Sequence, residues 1–401
     1  MKPKFIKSNN IYTETGKVAG ILEIEDSKIK AIHDSNHPVE YEDHSDDLII
    51  PGMIEMHIHG YKGWSAFSDD VEQIRGLSKA LPSGGITAYT PTVHYSDTII
   101  GNVKAITEVS EKPLHGARIL GTHFEGPFIS LKRLGSVLPS EVLKPSVEVM
   151  KEYYEAAKGK VTTVTMAPEV EGSEPLIDYL LEKGINICLG HTDATYEEAM
   201  WAFNKGANLT QKTGNAMRGM HHREMGTVGA ALLNPEVYNE INGDLAHVNK
   251  EFVELFYRVK GYEKLCIVAD EGVMTGMKKG KYDLPDRGIY HVGPDNLLHI
   301  EDMTIDGALE SMYRGFVNMV TVLKIPIEEA SVMASLNPAK LLKIEETKGS
   351  IKVGKDADIL IIDNNYQIKK TFVEGRLMYD IESEEVVENT KMYEYLLEEY
   401  H

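Results

Sequence analysis

Cysteine is nearly missing from this chain: its 401 residues hold two, Cys188 and Cys266. Two thiols cannot build a disulfide framework or a cysteine-based zinc site. Both lie in apolar, strand-like runs, so they are expected to be buried and inert. Positive charge is also scarce. With 42 Lys and Arg against 62 Asp and Glu, the formal net charge is −20, which disfavours nucleic acid as a partner. An anionic small molecule would need a local cationic pocket to overcome that field. Long hydrophobic runs are lacking too. No stretch approaches the roughly 20 apolar residues of a membrane span, and Met1-Lys2-Pro3-Lys4-Phe5 leads into no signal-like segment. A cytoplasmic protein with no membrane partner is expected. Repeats and low-complexity linkers are missing as well.

What the chain does have is ample apolar material, 42 % of its residues, enough for a large core. Residues 1–50 read as short strands. Val18–Ile24 and Lys28–Ile32 partly alternate, with Asp26-Ser27 as turn chemistry between them. Ala357–Asp363 and Lys370–Tyr379 look alike. The two ends are expected to pair into one small β-sandwich, domain 1–50 plus 346–401. The acidic stretch Glu382–His401 reads as a terminal helix.

Between the ends, apolar β-rich runs alternate with helix-compatible pieces such as Asp70–Leu81 and Tyr196–Lys205. Eight runs stand out: Leu48–His59, Ile86–Val93, Ala117–Glu125, Val161–Pro168, Ile185–His191, Ala207–Gln211, Glu236–Gly243 and Lys264–Asp270. Eight strand–helix units over residues 51–345 predict an α/β fold, a (β/α)₈ TIM-like barrel. Such barrels carry their chemistry at the C-terminal strand ends.

The most informative motif closes the first run, Pro51-Gly52-Met53-Ile54-Glu55-Met56-His57-Ile58-His59-Gly60. Residues i and i+2 of a strand share a face, so His57 and His59 can aim at one point. Two imidazoles so placed are half of a transition-metal site. Other groups with metal or proton chemistry end other runs: Glu125 the third, His191 the fifth, Asp270 the eighth. Imidazoles with carboxylate suit zinc, iron or cobalt better than magnesium or calcium. A divalent metal brings the pKa of a coordinated water down to about 7. A nearby aspartate can then move its protons to a leaving amine. These parts make a hydrolase.

Several segments carry a resemblance. They are Pro51-Gly52…His57-Ile58-His59-Gly60, His123-Phe124-Glu125-Gly126-Pro127-Phe128, Met166-Ala167-Pro168-Glu169 and Gly190-His191-Thr192-Asp193-Ala194-Thr195. Asn215-Ala216-Met217, His221-His222-Arg223, Gly243-Asp244-Leu245-Ala246-His247 and Asp270 complete the specific set. Asn337-Pro338-Ala339 and Gly349–Asp358 are more general. Together they resemble the N-acetylglucosamine-6-phosphate deacetylases of the amidohydrolase superfamily, nearly end to end. The resemblance implies metal-dependent release of acetate from N-acetylglucosamine 6-phosphate, an amino-sugar phosphate. His57, His59, Glu125 and Asp270 would surround one metal, zinc or iron for preference. Glu125 would bridge to a second, held by His191 and a residue of the sixth strand. Asp270 would be the catalytic base, then acid. Asn215, Ala216, His222, Arg223 and His247 would grip the sugar phosphate, partly across a homodimer interface. His123 would lie behind Glu125, and His94 and His115 would be structural.

Three departures qualify the expectation. The sixth-strand histidine of the relatives is Gln211 here, in Thr210-Gln211-Lys212-Thr213, and a glutamine carbonyl is the weaker zinc ligand. One tight metal is expected, with the second partial or absent. Gly135-Ser136-Val137 has lost a polar contact. Glu271 would add negative charge beside the substrate if it points inward. A diverged paralogue with altered N-acyl amino-sugar specificity, or a weakly active or inactive sugar-phosphate binder, is the alternative. A cyclic-amide hydrolase of the superfamily would need a lysine at the end of the fourth strand, where Met166-Ala167-Pro168-Glu169 has none.

Overall fold

The structure is a computed structural model that describes residues 4–285, 288–293, 295, 297–383 and 385–400. Eight strands form its centre: β1 (Met53–Ile58), β2 (Ile86–Val93), β3 (Thr122–Glu125), β4 (Val161–Met166), β5 (Asn186–Leu189), β6 (Leu209–Thr210), β7 (Tyr238–Asn242) and β8 (Leu265–Val268). Each pairs parallel with the next. Each falls inside one of the eight runs read from the sequence. The strands are buried almost throughout, as expected when a parallel sheet is covered on both faces.

Side-chain and single-bridge contacts close the gap between β8 and β1. The Glu55 carboxylate accepts the His57 N–H at 2.8 Å and the Ala269 N–H at 3.1 Å. The Glu271 carbonyl accepts the His59 N–H at 2.7 Å. A nearly closed barrel results.

The helices α1 (Val71–Ala80), α2 (Ile99–Ser110), α3 (Val147–Ala156), α4 (Ser173–Glu182), α5 (Tyr196–Lys205), α6 (Gly226–Leu233), α7 (Lys250–Lys260) and α8 (Met312–Thr321) follow the strands in turn. Local chemistry sets their ends. Asp70 caps α1 by accepting the Glu72 N–H. Thr195 and Glu198 cap α5 reciprocally, and Gly206 ends it.

The chain ends meet in one eight-stranded sheet. It takes Lys4–Thr13, Gly16–Glu25, Lys28–His33, Glu42–Asp43 and Leu48–Pro51 from one end, and Ile359–Ile362, Ile368–Val373 and Arg376–Asp380 from the other. Leu48–Pro51 runs antiparallel to Ile359–Ile362. The first apolar run therefore begins in this sheet and ends in the barrel.

A third sheet, from Gly280–Leu284 to Ile305–Ala308, is inserted between β8 and α8. The tail corrects an expectation here. In place of a terminal helix it forms a 3₁₀ turn (Thr390–Tyr395) and a strand (Leu396–Glu399) that pairs with Gly280–Leu284. It therefore joins the inserted sheet, not the terminal one. Met392, Tyr393, Tyr395 and Leu396 pack on the cluster around Tyr282 and Leu298, and that burial outweighs the helical bias of the acidic composition. His401 lies outside the described residues. Among the described residues, no helix is long and apolar enough to cross a membrane.

Candidate metal centre and its surroundings

The parallel barrel brings its strand ends to one rim. Glu125 is the last residue of β3, and Gln211 directly follows β6. His191 and Asp270 stand two residues beyond β5 and β8. His191, Lys212, Ala216 and Asp270 all have positive φ, between +37° and +65°. Left-handed backbone costs a non-glycine residue about 1–3 kcal/mol and persists only where the surroundings enforce it.

Four donors converge. His57 Nε2 lies 3.2 Å from Asp270 Oδ1, and His59 Nε2 lies 3.5 Å from the same oxygen and 3.1 Å from Glu125 Oε2. Zinc bonds of about 2.0–2.2 Å place tetrahedral ligands roughly 3.3 Å apart; His57, His59 and Asp270 are close enough together to share one ion, and Glu125 adjoins them through His59. His57 Nε2 is buried without a hydrogen-bond partner, the condition of a nitrogen whose partner is a metal. Ring orientation agrees. His57 Nδ1 faces Glu240 Oε2 at 3.3 Å and His59 Nδ1 faces the Thr92 carbonyl at 3.1 Å. Both contacts hold the proton on Nδ1 and leave Nε2 free to ligate. The residues present fit one divalent metal.

Electrostatics favours a cation there. Burial alone would raise the Glu125 and Asp270 carboxyls, but Lys212 and His57 outweigh it and hold both well below the usual carboxylate range. Burial opposes charge on His57 too, yet Glu125 and Asp270 draw its pKa well above the ordinary value.

The second grouping is different. His191 Nε2 lies 3.1 Å from Glu125 Oε1, and its Nδ1 meets the Arg133 carbonyl at 2.9 Å. Gln211 donates its amide to the same Glu125 Oε1 at 2.6 Å. Only glycine permits that approach, since a Cβ on Gly190 would stand 2.2 Å from Gln211 Oε1.

A family model for the amidohydrolase family matches residues 48–378. The chain belongs to the amidohydrolase family. It is 32 % identical over 337 residues to the N-acetylglucosamine-6-phosphate deacetylase of Vibrio furnissii, covering 83 % of each chain. To the enzyme of that name from Bacillus subtilis it is 31 % identical, covering 93 % of this chain and 96 % of the relative. The crystal structure of N-acetylglucosamine-6-phosphate deacetylase from Pasteurella multocida superimposes with a TM-score of 0.86 at 28 % identity. That match covers 93 % of this chain and 99 % of the other.

Around the centre of this amidohydrolase, the expected substrate residues part into two groups. His247 faces inward: its Nδ1 is fixed by Asp244 at 2.5 Å, and its buried, unpartnered Nε2 lies 3.9 Å from Asp270 Oδ2. Asn215 and Ala216 form the turn beside His191, with the Ala216 carbonyl accepting the Thr192 N–H. His222 and Arg223 do not join them. They lie on an exposed turn closed by His221 and Glu224, and among the described residues the Arg223 guanidinium has no ion pair. The arginines nearer His191, Arg133 and Arg218, are both spent on Asp193.

Glu271 does not face substrate. It is fully buried, accepts the Met312 N–H at the start of α8, and burial pushes its carboxyl up to about 8. The concern about added negative charge therefore lapses. His123 is a core histidine, bonded to the Met56 carbonyl and Thr165, with its pKa lowered by burial to about 4. His94 stacks on Phe67 beside His59. Cys188 and Cys266 are free and buried.

Sequence reasoning missed three residues. Glu55 and Glu240 are buried strand carboxylates that orient His57. Lys212, whose ammonium lies 2.9 Å from Glu125 Oε1, carried no signal in the sequence beyond its place after Gln211.

Proposed function

We propose that this chain removes the acetyl group of N-acetylglucosamine 6-phosphate, releasing glucosamine 6-phosphate and acetate. The grouping of His57, His59 and Asp270, with Glu125 3.1 Å from His59, carries the reading, beside the named activity of relatives more than 30 % identical. Those four residues would hold one divalent metal, zinc or iron by the chemistry of the donor set. When bound, it supplies Lewis acidity at the amide carbonyl and acidifies water. Asp270, kept ionised, takes the proton of the attacking water and returns it to the departing nitrogen. His247, held by Asp244, would meet the sugar phosphate together with the Asn215–Ala216 turn beside His191.

Arg223 and His222 belong to the same proposal by way of a homodimer. Their exposure, and the unpaired Arg223 guanidinium, suit a role in a partner subunit's phosphate site. We infer a cytoplasmic location, in keeping with two free thiols. The accessory unit is read as a small β-sandwich built from residues 1–50 and the strands Ile359–Ile362, Ile368–Val373 and Arg376–Asp380. Its separate apolar cluster, with Ile6, Leu22, Ile49, Ile359 and Phe372, supports that division from the barrel at 51–345.

The decisive variant is Asp270→Asn. Turnover of N-acetylglucosamine 6-phosphate should fall by about 10²–10⁴-fold while metal content stays near wild type. Near-normal acetate release would remove Asp270 from its role. Saturable sugar-phosphate binding by a wild-type protein with neither metal nor turnover would favour the non-enzymatic alternative.

A further inference from the structure

Lys212 follows Gln211 at the end of β6, and its side chain is only 11 % exposed. A buried ammonium needs anionic partners, and Lys212 Nζ has two: Glu125 Oε1 at 2.9 Å and Asp270 Oδ2 at 3.1 Å. The other oxygens of those carboxylates face the histidine pair, Glu125 Oε2 toward His59 and Asp270 Oδ1 toward His57. Each carboxylate thus divides its oxygens between two positive positions. One is the four-donor centre. The other is occupied by a side chain of the protein itself.

Glu125 Oε1 is also where a second divalent ion would bind. Around it stand the His191 imidazole at 3.1 Å and the Gln211 amide at 2.6 Å. This oxygen already receives the Gln211 N–H and the Lys212 ammonium, so its lone pairs are used. The Gln211 carbonyl oxygen, the atom able to ligate, is buried with no partner while the amide nitrogen faces Glu125. A divalent ion about 2 Å from Glu125 Oε1 would also face the Lys212 ammonium bonded to that oxygen. The residues present do not fit a second metal.

We propose that Lys212 is the built-in second cation of this centre, so that the protein takes one divalent ion and its own ammonium holds the place of another. The proposal rests on the His57–His59–Glu125–Asp270 centre being a metal site. It separates two causes that the loss of the sixth-strand histidine alone would confuse. If the missing ligand were the whole reason, restoring histidine would restore the second site. If the ammonium blocks it, histidine alone will not.

The test is zinc stoichiometry on the full chain, by elemental analysis and titration with zinc alone, with circular dichroism to confirm folding. Wild type should bind one equivalent. Gln211→His should still bind one, and Gln211→His combined with Lys212→Ala should bind two. Should that pair not fold, Gln211→His with Lys212→Met keeps the side-chain length and carries the same expectation. Two equivalents on wild type or on Gln211→His alone would overturn the proposal. So would a folded double variant that stays at one, and that result would leave the single-metal reading of the function standing. Wild type with no bound zinc would instead sink the metal centre, and the role of Lys212 with it.

Discussion

At the scale of the residue, one imidazole illustrates how much of a site lies behind its ligands. His57 can ligate because Glu240 fixes its ring at 3.3 Å and Glu55 fixes its backbone. Loss of such an orienting partner typically weakens metal binding by about 10–100-fold. Glu240→Ala should therefore lower zinc affinity by that factor in a chelator competition, with the fold intact by circular dichroism. Unchanged affinity would leave Glu240 a packing residue only. The strand spacing of His57 and His59 made the pair legible from sequence as candidate ligands. Glu240 was not legible, because a carboxylate inside a buried strand, 183 positions away, announces no partner.

Among the elements, the junction of β8 with β1 matters most. Here the backbone bonds are few, those of His59 and Gly60 to the Glu271 carbonyl, and one side chain accepts two further buried N–H groups, those of His57 and Ala269. Glu55→Ala leaves both donors unsatisfied, at about 1–3 kcal/mol each. Chemical denaturation should show a loss of about 2–6 kcal/mol, and zinc binding should weaken because β1, β8 and the residues just beyond them carry three of the four proposed ligands. A loss below about 0.5 kcal/mol, the scale of a neutral surface change, would show that water or a shifted strand replaces the carboxylate. Sequence reading located all eight barrel strands because buried parallel strands are short and apolar. It misread the tail, whose acidic residues suggested a solvated helix. Only the apolar face of the inserted sheet explains why Leu396–Glu399 is extended.

For the whole molecule, two couplings are testable. The first joins the chain ends. Burial pushes the Glu14 carboxyl up, but Ser350, Lys355 and Lys352 outweigh it and hold it down to about 2, against an ordinary 4.5. A depressed carboxylate stabilises the fold above its unfolded pKa, and that contribution is lost as pH falls through the folded value. Stability should drop between about pH 4.5 and 2, and Glu14→Gln should flatten that part of the profile; an unchanged slope would exonerate Glu14. The second coupling is between subunits. If Arg223 serves a partner's site, mixing inactive Arg223→Ala with inactive Asp270→Asn should regain measurable activity through hybrid dimers. No recovery in a mixture shown to exchange subunits would confine Arg223 to its own surface. By itself, the order of residues determined the barrel, the strand-end positions of the candidate metal ligands and the family, since periodicity and short motifs are local properties of a chain. Only the tertiary structure decided which charges neutralise one another. It turned Glu271 into the core, left Arg223 outside, and laid the Lys212 ammonium between two carboxylates, because such pairings depend on distances between residues the sequence keeps far apart.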